Sequence, residues 1–244
     1  MKVVKLDAIN STNNYLKMVS KDANAVNWTV VTAEHQTLGR GQMDTIWESE
    51  KGKNLVCSVL VQFKTLKSKD QFFLNCAISL GIYKALRNYG IPNLKVKWPN
   101  DIMSGYKKVC GILIENTLVK DRISNSVIGI GLNVNQENFS KDVPKAISMK
   151  QVLGVDFDRD EILERLVVCL QEQIEFLKQK DFKLLHANYE KVLFQKGEIR
   201  VFENKEKKKF MGKILGVTAK GCLLVEQEND VIKEYNFKEI IFLN

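Results

Sequence analysis

Apolar and polar positions begin with a strand-like run and then switch to a helical period. Residues 3–9 can form a short strand, and Ser11-Thr12 offers an N-cap to a helix carrying Tyr15, Leu16 and Val19 on one face. The β-branched run WTVVTA at residues 28–33 reads as a strand. Residues 34–54 break the pattern: Gly39, Gly41 and Gly52 sit among polar residues, so a long loop is expected, and such loops tend to be functional or disordered. Residues 54–63 give a second apolar strand. Residues 70–88 place Phe72, Phe73, Cys76, Leu80, Tyr83 and Leu86 at helical spacing, with Gly90 to end the helix and Pro92 beyond it. Further strands are expected at residues 95–98, 109–115 and 127–134, with Pro99-Asn100-Asp101 turning the first of them into a loop. Residues 145–192 read as helical, with Ile162, Leu166, Leu170, Ile174 and Leu177 along one side of a long stretch at 159–178. After Gln195-Lys196-Gly197 the texture changes to short strands at 199–202, 210–217, 222–225, 231–237 and 240–243, which suggests a small β-barrel appendage.

Composition narrows the class. With 45% hydrophobic and 27% charged residues and 3 prolines in 244 residues, the chain is globular rather than disordered or fibrous. No apolar run approaches the roughly eighteen residues of a membrane span, and MKVVKLDAIN holds no apolar leader core, so a cytoplasmic protein is expected. Five cysteines, at positions 57, 76, 110, 169 and 222, lie scattered without a C-x-x-C pair and read as reduced, buried thiols. His35 and His186 lie in no zinc-site or Ser-His-Asp signature. A net charge of +8 favours anionic partners. The lysines are mostly dispersed, however, and the densest cluster, Lys205 with Lys207, Lys208 and Lys209, sits in a polar hairpin turn. No RNP, KH, zinc-finger or helix-turn-helix pattern accompanies it, so nucleic-acid binding is not expected.

Four short constellations could carry chemistry. Gly39-Arg40-Gly41 lies in the long loop, where glycines let the backbone approach an anion and the guanidinium adds a planar, permanent charge; a surface turn would look the same. Lys97-Trp98-Pro99-Asn100-Asp101 ends a strand, and its amide and carboxylate can cap a turn or face a nucleotide and its magnesium. Lys107-Lys108-Val109-Cys110-Gly111-Ile112-Leu113-Ile114-Glu115 leads an apolar strand with an ammonium that can reach phosphates, while Gly111 removes a side chain where something must approach, or marks a bulge. In Gly129-Ile130-Gly131-Leu132-Asn133-Val134 the amide of Asn133 must find a partner or cost about 1–3 kcal/mol, whether that partner is structural or a nucleobase.

Taken in order, Ser11-Thr12-Asn13, then Gln36-x-x-Gly39-Arg40-Gly41 with Trp47, then KWPND, then K-x-x-G-I-L-x-E, then G-x-G-x-N, this sequence resembles the biotin protein ligases over nearly its whole length. KWPND followed seven residues after Asp101 by Lys108 is the most specific part. The resemblance implies an α+β fold: a mixed, largely antiparallel sheet backed by helices, of the class II synthetase-like ligase type, over residues 1–194, and a small SH3-like β-barrel over 195–244. One segment departs from the family pattern. Gln42 stands where a cation is usual and Asp44 where glycine is usual, which bears on how an anionic intermediate is retained.

The resemblance further implies ATP-dependent ligation of biotin to a lysine of a biotin carboxyl carrier protein through biotinyl-5′-AMP, with Mg2+. Arg40 and Lys108 would be catalytic, holding carboxylate and α-phosphate. Biotin would meet Ser11, Thr12, Gln36, Gly39, Arg40, Gly41, Lys108 and Gly111. The nucleotide would meet Arg40, Trp47, Lys97, Asn100, Asp101 and Asn133, with Asp101 reaching magnesium through the nucleotide, Trp47 stacking near adenine, and the 34–54 loop ordering over the adenylate. Lipoate–protein ligase shares this chemistry, a non-catalytic biotin-binding module would keep the motifs, and no cysteine sits in the context of a transfer-only relative's nucleophile. Because the S-T-N motif starts at residue 11, no amino-terminal repressor domain and no operator binding are expected. Monomer and homodimer are both left open.

Overall fold

The computed structural model describes residues 2–22, 24–42 and 45–243, so Asp44 lies outside the described residues. Seven strands form the large sheet: β1 (Lys2–Ile9), β2 (Thr29–Gln36), β3 (Leu55–Gln62), β4 (Leu94–Lys97), β5 (Asp101–Ser104), β6 (Lys107–Val119) and β7 (Arg122–Leu132). Their spatial order is β1-β2-β3-β7-β6-β5-β4. Only the β1–β2 pair is parallel; the others are antiparallel, as a mixed, largely antiparallel sheet requires.

The helices α1 (Thr12–Val19), α2 (Gln71–Asn88), α3 (Met149–Leu153), α4 (Arg159–Lys178) and α5 (Phe182–Lys191) divide unequally between the two faces of this sheet. Successive strand residues point to opposite faces. One set, with Cys57, Ile112 and Ile130 in one cross-strand row and Val59, Ile114 and Ile128 in the next, packs under α2 and α4 in a single apolar core. The other set meets α1, whose Leu16 is fully buried on Val31, Leu60 and Val127. Removing a leucine side chain of that size from water is worth about 1.5–3 kcal/mol, enough to seat a two-turn helix of little intrinsic stability. Past α1, no helix among the described residues covers the part of this face that carries Gly111 and Gly131.

The remaining strands, β8 (Ile199–Asn204), β9 (Lys209–Val217), β10 (Leu223–Glu226), β11 (Ile232–Tyr235) and β12 (Ile240–Leu243), form a separate antiparallel sheet in the order β11-β10-β9-β8-β12. This is consistent with an SH3-like unit; among the described residues β11 and β12 remain its two edges rather than closing a barrel. Phe202, Ile214, Leu223 and Val225 fill its interior. It is fastened to the rest of the chain by Trp98, just after β4, whose Nε1 donates to Gly221 O at 2.9 Å, and by Glu190 of α5, which accepts from Val217 N at 3.0 Å.

Three local expectations change. β2 runs on to Gln36, because His35 and Gln36 continue the parallel ladder with Ala8 and Ile9, so the loop is shorter than the polarity of its first residues suggests. Asp101 begins β5, a strand the sequence hides: four residues with polar ends carry little alternation, and pairing with β4 and β6 supplies what propensity does not. Residues 145–148 and 154–158 are not helical; α3 starts at a Ser148–Gln151 capping box and stops at Gly154, which is left-handed at φ +77°.

Candidate active site

This glycine-bearing face of β6 and β7 is the floor of a cavity of about 550 Å3. Asp101, Gly111, Gly131 and Val56 lie in one cross-strand row along it. A Cβ on Gly131 would collide with the indole of Trp47, and one on Gly129 would stand 2.5 Å from Asn13 Oδ1, so glycine here is a requirement of close approach. The cavity reaches from Gln36, at the end of β2, to Asp101, at the start of β5. At about 4.8 Å per strand, that crossing of β3, β7 and β6 spans roughly 19 Å.

At the β2 end the polar groups are fixed and buried. Ser11 occupies the N-cap position of α1, but its side chain makes no capping bond. Thr12 donates from its backbone N (2.8 Å) and from Oγ1 (3.0 Å) to Gln36 Oε1. Ser58, fully buried on β3, has its hydroxyl 2.8 Å from Thr12 Oγ1 and also against Asn13 Oδ1. The loop that follows folds back on itself: Trp47 N donates to Gly39 O at 2.9 Å and Gly41 N to Thr45 O at 2.7 Å. This turn delivers Arg40, which donates from Nη1 to Asn14 Oδ1 (2.6 Å) and from Nη2 to Glu115 Oε1 (3.0 Å). Burial pushes the Glu115 carboxyl up, but hydrogen bonds from Asn13 and Lys17 and the charge of Arg40 outweigh it and hold the group below the usual carboxylate range.

At the β5 end, Lys108 Nζ lies 2.6 Å from Asp101 Oδ1 and 5.3 Å from the Trp47 ring centroid. Lys97 stands 4.9 Å over the Phe242 ring, and burial lowers its ammonium from the usual lysine range against the opposing pull of Asp101. Asn100 donates from its amide to Ile112 O at 2.7 Å, tying the KWPND turn to β6. Phe237, Lys238 and Phe242, from the small sheet, complete this wall.

Ser11, Thr12, Gln36, Arg40, Gly41, Trp47, Lys97, Asn100, Asp101, Lys108 and Gly111 therefore face one cavity, and Gln42 faces it too. Arg40 and Lys108 converge on the same space. Gly39 and Asn133 do not line it. Gly39 shapes the loop by letting Trp47 O approach. Asn133 is buried, and its amide donates to Lys108 O (3.4 Å) and Ile147 O (3.2 Å), so its partners are structural ones that hold residues 145–148 beside the start of β6. The Trp47 indole packs against Gly111 and Gly131, on the floor where the resemblance has biotin meet Gly111; its Nε1 is buried without an acceptor among the described residues.

Asn13, Ser58, Glu115 and the Phe237–Phe242 wall were not anticipated as site residues. Asn13 and Glu115 stand inside the motifs themselves, so their signal was present; Ser58 and the wall carry none. As for a metal, the described residues contain no group of three or more His, Cys, Asp or Glu side chains able to cage one. Asp101, already paired with Lys108 through Oδ1, is a single carboxylate, which fits a magnesium ion carried in on nucleotide phosphates better than one caged by the protein.

Comparison with known proteins agrees with this geometry. The profile of the biotin/lipoate A/B protein ligase family matches residues 6–133. A bifunctional ligase/repressor from Bacillus spizizenii is 32% identical over 241 residues, 94% of this chain and 71% of that protein. A biotin–acetyl-CoA-carboxylase ligase from Mycobacterium tuberculosis is 29% identical over 67% of this chain and 60% of its own length. The solved biotin protein ligase of Aquifex aeolicus, in complex with biotin and ATP, superimposes with a TM-score of 0.81 at 30% identity, covering 100% of this chain and 99% of that one. With the family's profile over the glycine floor and a solved member matching it from end to end, the chain belongs to the biotin/lipoate A/B protein ligase family and, within it, to the biotin protein ligases.

Proposed function

We propose that the chain joins biotin to a lysine of a biotin carboxyl carrier protein at the expense of ATP. In the first step the biotin carboxylate attacks the α-phosphorus, a P–O bond to the β-phosphate breaks, and pyrophosphate leaves biotinyl-5′-AMP behind. In the second, an uncharged lysine ε-amine of the carrier attacks the acyl carbon, the acyl–phosphate bond breaks, and AMP leaves as the amine loses its proton. The first step brings two anions together, so its barrier is largely electrostatic and asks for fixed cations rather than an enzyme nucleophile.

The single observation that carries the reading is the convergence of Arg40 and Lys108 on one glycine-floored cavity of suitable length. Ser11, Thr12 and Gln36 would hold the ureido end, with the backbone of Arg40 and Gly41. Arg40 and Lys108 would hold the carboxylate and α-phosphate, and Lys97, Asn100 and Asp101 would flank the nucleotide. Magnesium, when bound on the phosphates beside Asp101, supplies further neutralisation of charge. The 194/195 boundary is taken as the junction of ligase and SH3-like domains, although Phe237, Lys238 and Phe242 reach back into the site. Cysteine-dependent transfer is disfavoured: Cys57, beside the cavity, is pushed up to about 12 by burial and so stays a neutral thiol near pH 7. No helix of the described residues is long and apolar enough to cross a membrane, and the cytoplasm is the proposed location.

Incubation with biotin, ATP, Mg2+ and a carrier domain, read by mass spectrometry, tests this reading, with lipoate as the competing acid. Biotin on the carrier lysine is expected. Transfer of lipoate in its place, or no transfer together with no biotin-dependent ATP–pyrophosphate exchange, would overturn it.

A further inference from the structure

Glu115 closes the K-x-x-G-I-L-x-E run, yet the two-step chemistry gives it nothing to do. Its carboxylate nevertheless gathers three donors from two different elements: Asn13 Nδ2 at 2.9 Å and Lys17 Nζ at 3.0 Å from α1, and Arg40 Nη2 at 3.0 Å from the loop. The acid is the sheltered member of the group, with 16% of its side chain exposed against 39% for Arg40 and 47% for Lys17. It stands on β6, on the same face as Gly111 and Leu113, opposite Val127, which is itself capped by Leu16 of α1. Asn13 is held in turn by Ser58 and seated on Gly129.

We propose that Glu115 is a positioning residue for the acid-binding end of the cavity: anchored in the rigid sheet, it sets the first turn of α1 and the guanidinium of Arg40 in fixed relation to each other. This rests on the ligase reading of the site. A purely Coulombic view makes the opposite prediction. Lys17 and Arg40 carry two positive charges against the single negative charge of Glu115, so deleting that charge raises the local potential and should tighten an anionic substrate. If geometry governs, deletion releases Arg40 and Asn13 and weakens it.

Glu115→Gln separates the two, since it keeps size and removes charge. The expected result is a rise of about tenfold to a hundredfold in KM for biotin, the scale of a lost charged hydrogen bond, with a smaller change in KM for ATP. In the Arg40→Ala background the same substitution should add little, because the two residues act as one unit. Glu115→Asp, which keeps the charge but retracts it, should fall between and carries the test should Glu115→Gln fail to fold. A lower KM for biotin, equal changes for both substrates, or full additivity with Arg40→Ala would overturn the proposal while leaving the ligase reading intact. A wild-type chain that neither binds biotin nor exchanges pyrophosphate would overturn both.

Discussion

The two faces of the seven-stranded sheet are built from the same strands, one residue out of step. Cys57, Ile112 and Ile130 share a row and lie under α2 and α4; their chain neighbours Val56, Gly111 and Gly131 share the next row and look into the cavity. The first row is branched and sulfur-bearing apolar mass, packed without side-chain charge. The second has been stripped to glycine where a ligand must lie and is bordered by Lys108 and Asp101 at one end and by Val56 and Gln36 at the other. A strand's two-residue period therefore lets one stretch of sequence specify a core and a site at once, with stability and activity separated by a single step along the chain. Four substitutions or conditions would break or sharpen that separation.

Ile130→Ala should have the largest effect, exerted through the core face where its side chain packs, although the residue also borders the cavity. Ile130 is 3% exposed, and trimming such a side chain leaves a void that costs about 2–5 kcal/mol of stability. The unfolding midpoint in denaturant should drop accordingly while pyrophosphate exchange per folded molecule holds. A selective loss of exchange at unchanged stability would show that the faces are not separable here.

Lys108→Ala is the mirror case. Its side chain is 33% exposed, and its Nζ contacts Asp101 and Trp47 rather than the core. Removing a preorganised charge at the developing phosphoryl centre should raise the barrier by about 3–4 kcal/mol, read as a loss of roughly a hundredfold to a thousandfold in biotin-dependent exchange. The unfolding midpoint should scarcely move. Next in size is Gly131→Ala, which adds one methyl to the cavity floor. The new Cβ meets the Trp47 indole, and overpacking of this kind costs about 1–3 kcal/mol. Because Trp47 is carried by a loop, that penalty should appear mainly as displaced indole fluorescence and slower adenylate formation. An equal loss in global stability would mean that Trp47 belongs to the core.

How much of this was readable beforehand follows the same division. The core face announces itself through periodicity: α2 and α4 and most of the strands fall where the apolar spacing puts them, and all five strands of the small sheet were marked by its polar turns. The cavity face announces itself through motif order, which brought Arg40, Lys97, Asp101 and Lys108 to one place although some ninety residues separate the first of them from Gly131. What escaped is what depends on three dimensions alone. β5 is too short and too polar at its ends to be seen before its partners exist. Asn133 was equally compatible with a base or a backbone partner, and the backbone acceptors its Nδ2 finds, Lys108 O and Ile147 O, exist only once residues 145–148 return past β6. Ser58 reads as one more small residue in an apolar strand until α1 lands on it. Phe242 sits on β12 of a different sheet and Phe237 and Lys238 in the β11–β12 turn, and no local pattern foretells that this turn closes the far wall.

The smallest expected effect concerns pH at the junction between the two regimes, where Glu115 belongs to the sheet by position and to the cavity by charge. Its carboxyl is held below the usual range in the folded chain, despite the opposing effect of burial, by Asn13, Lys17 and Arg40. An unfolded glutamate titrates near about 4.3. The sign then follows from linkage: with the folded value the lower of the two, the ionised group contributes its full stabilisation above the unfolded value and loses it as pH falls through the folded one. The groups facing this carboxylate are the permanently charged Arg40, the ammonium of Lys17 and the neutral amide of Asn13. No second carboxylate is among them, so the loss is assigned to Glu115. Subtracting the stability of Glu115→Gln from that of the wild type at each pH isolates it. The difference should be positive and flat from pH 7 down to about pH 5, then shrink toward pH 3. Because the cluster is partly exposed, it should also shrink at high salt. A difference that grew on acidification would mean that the folded carboxyl is raised, with desolvation prevailing over its three donors.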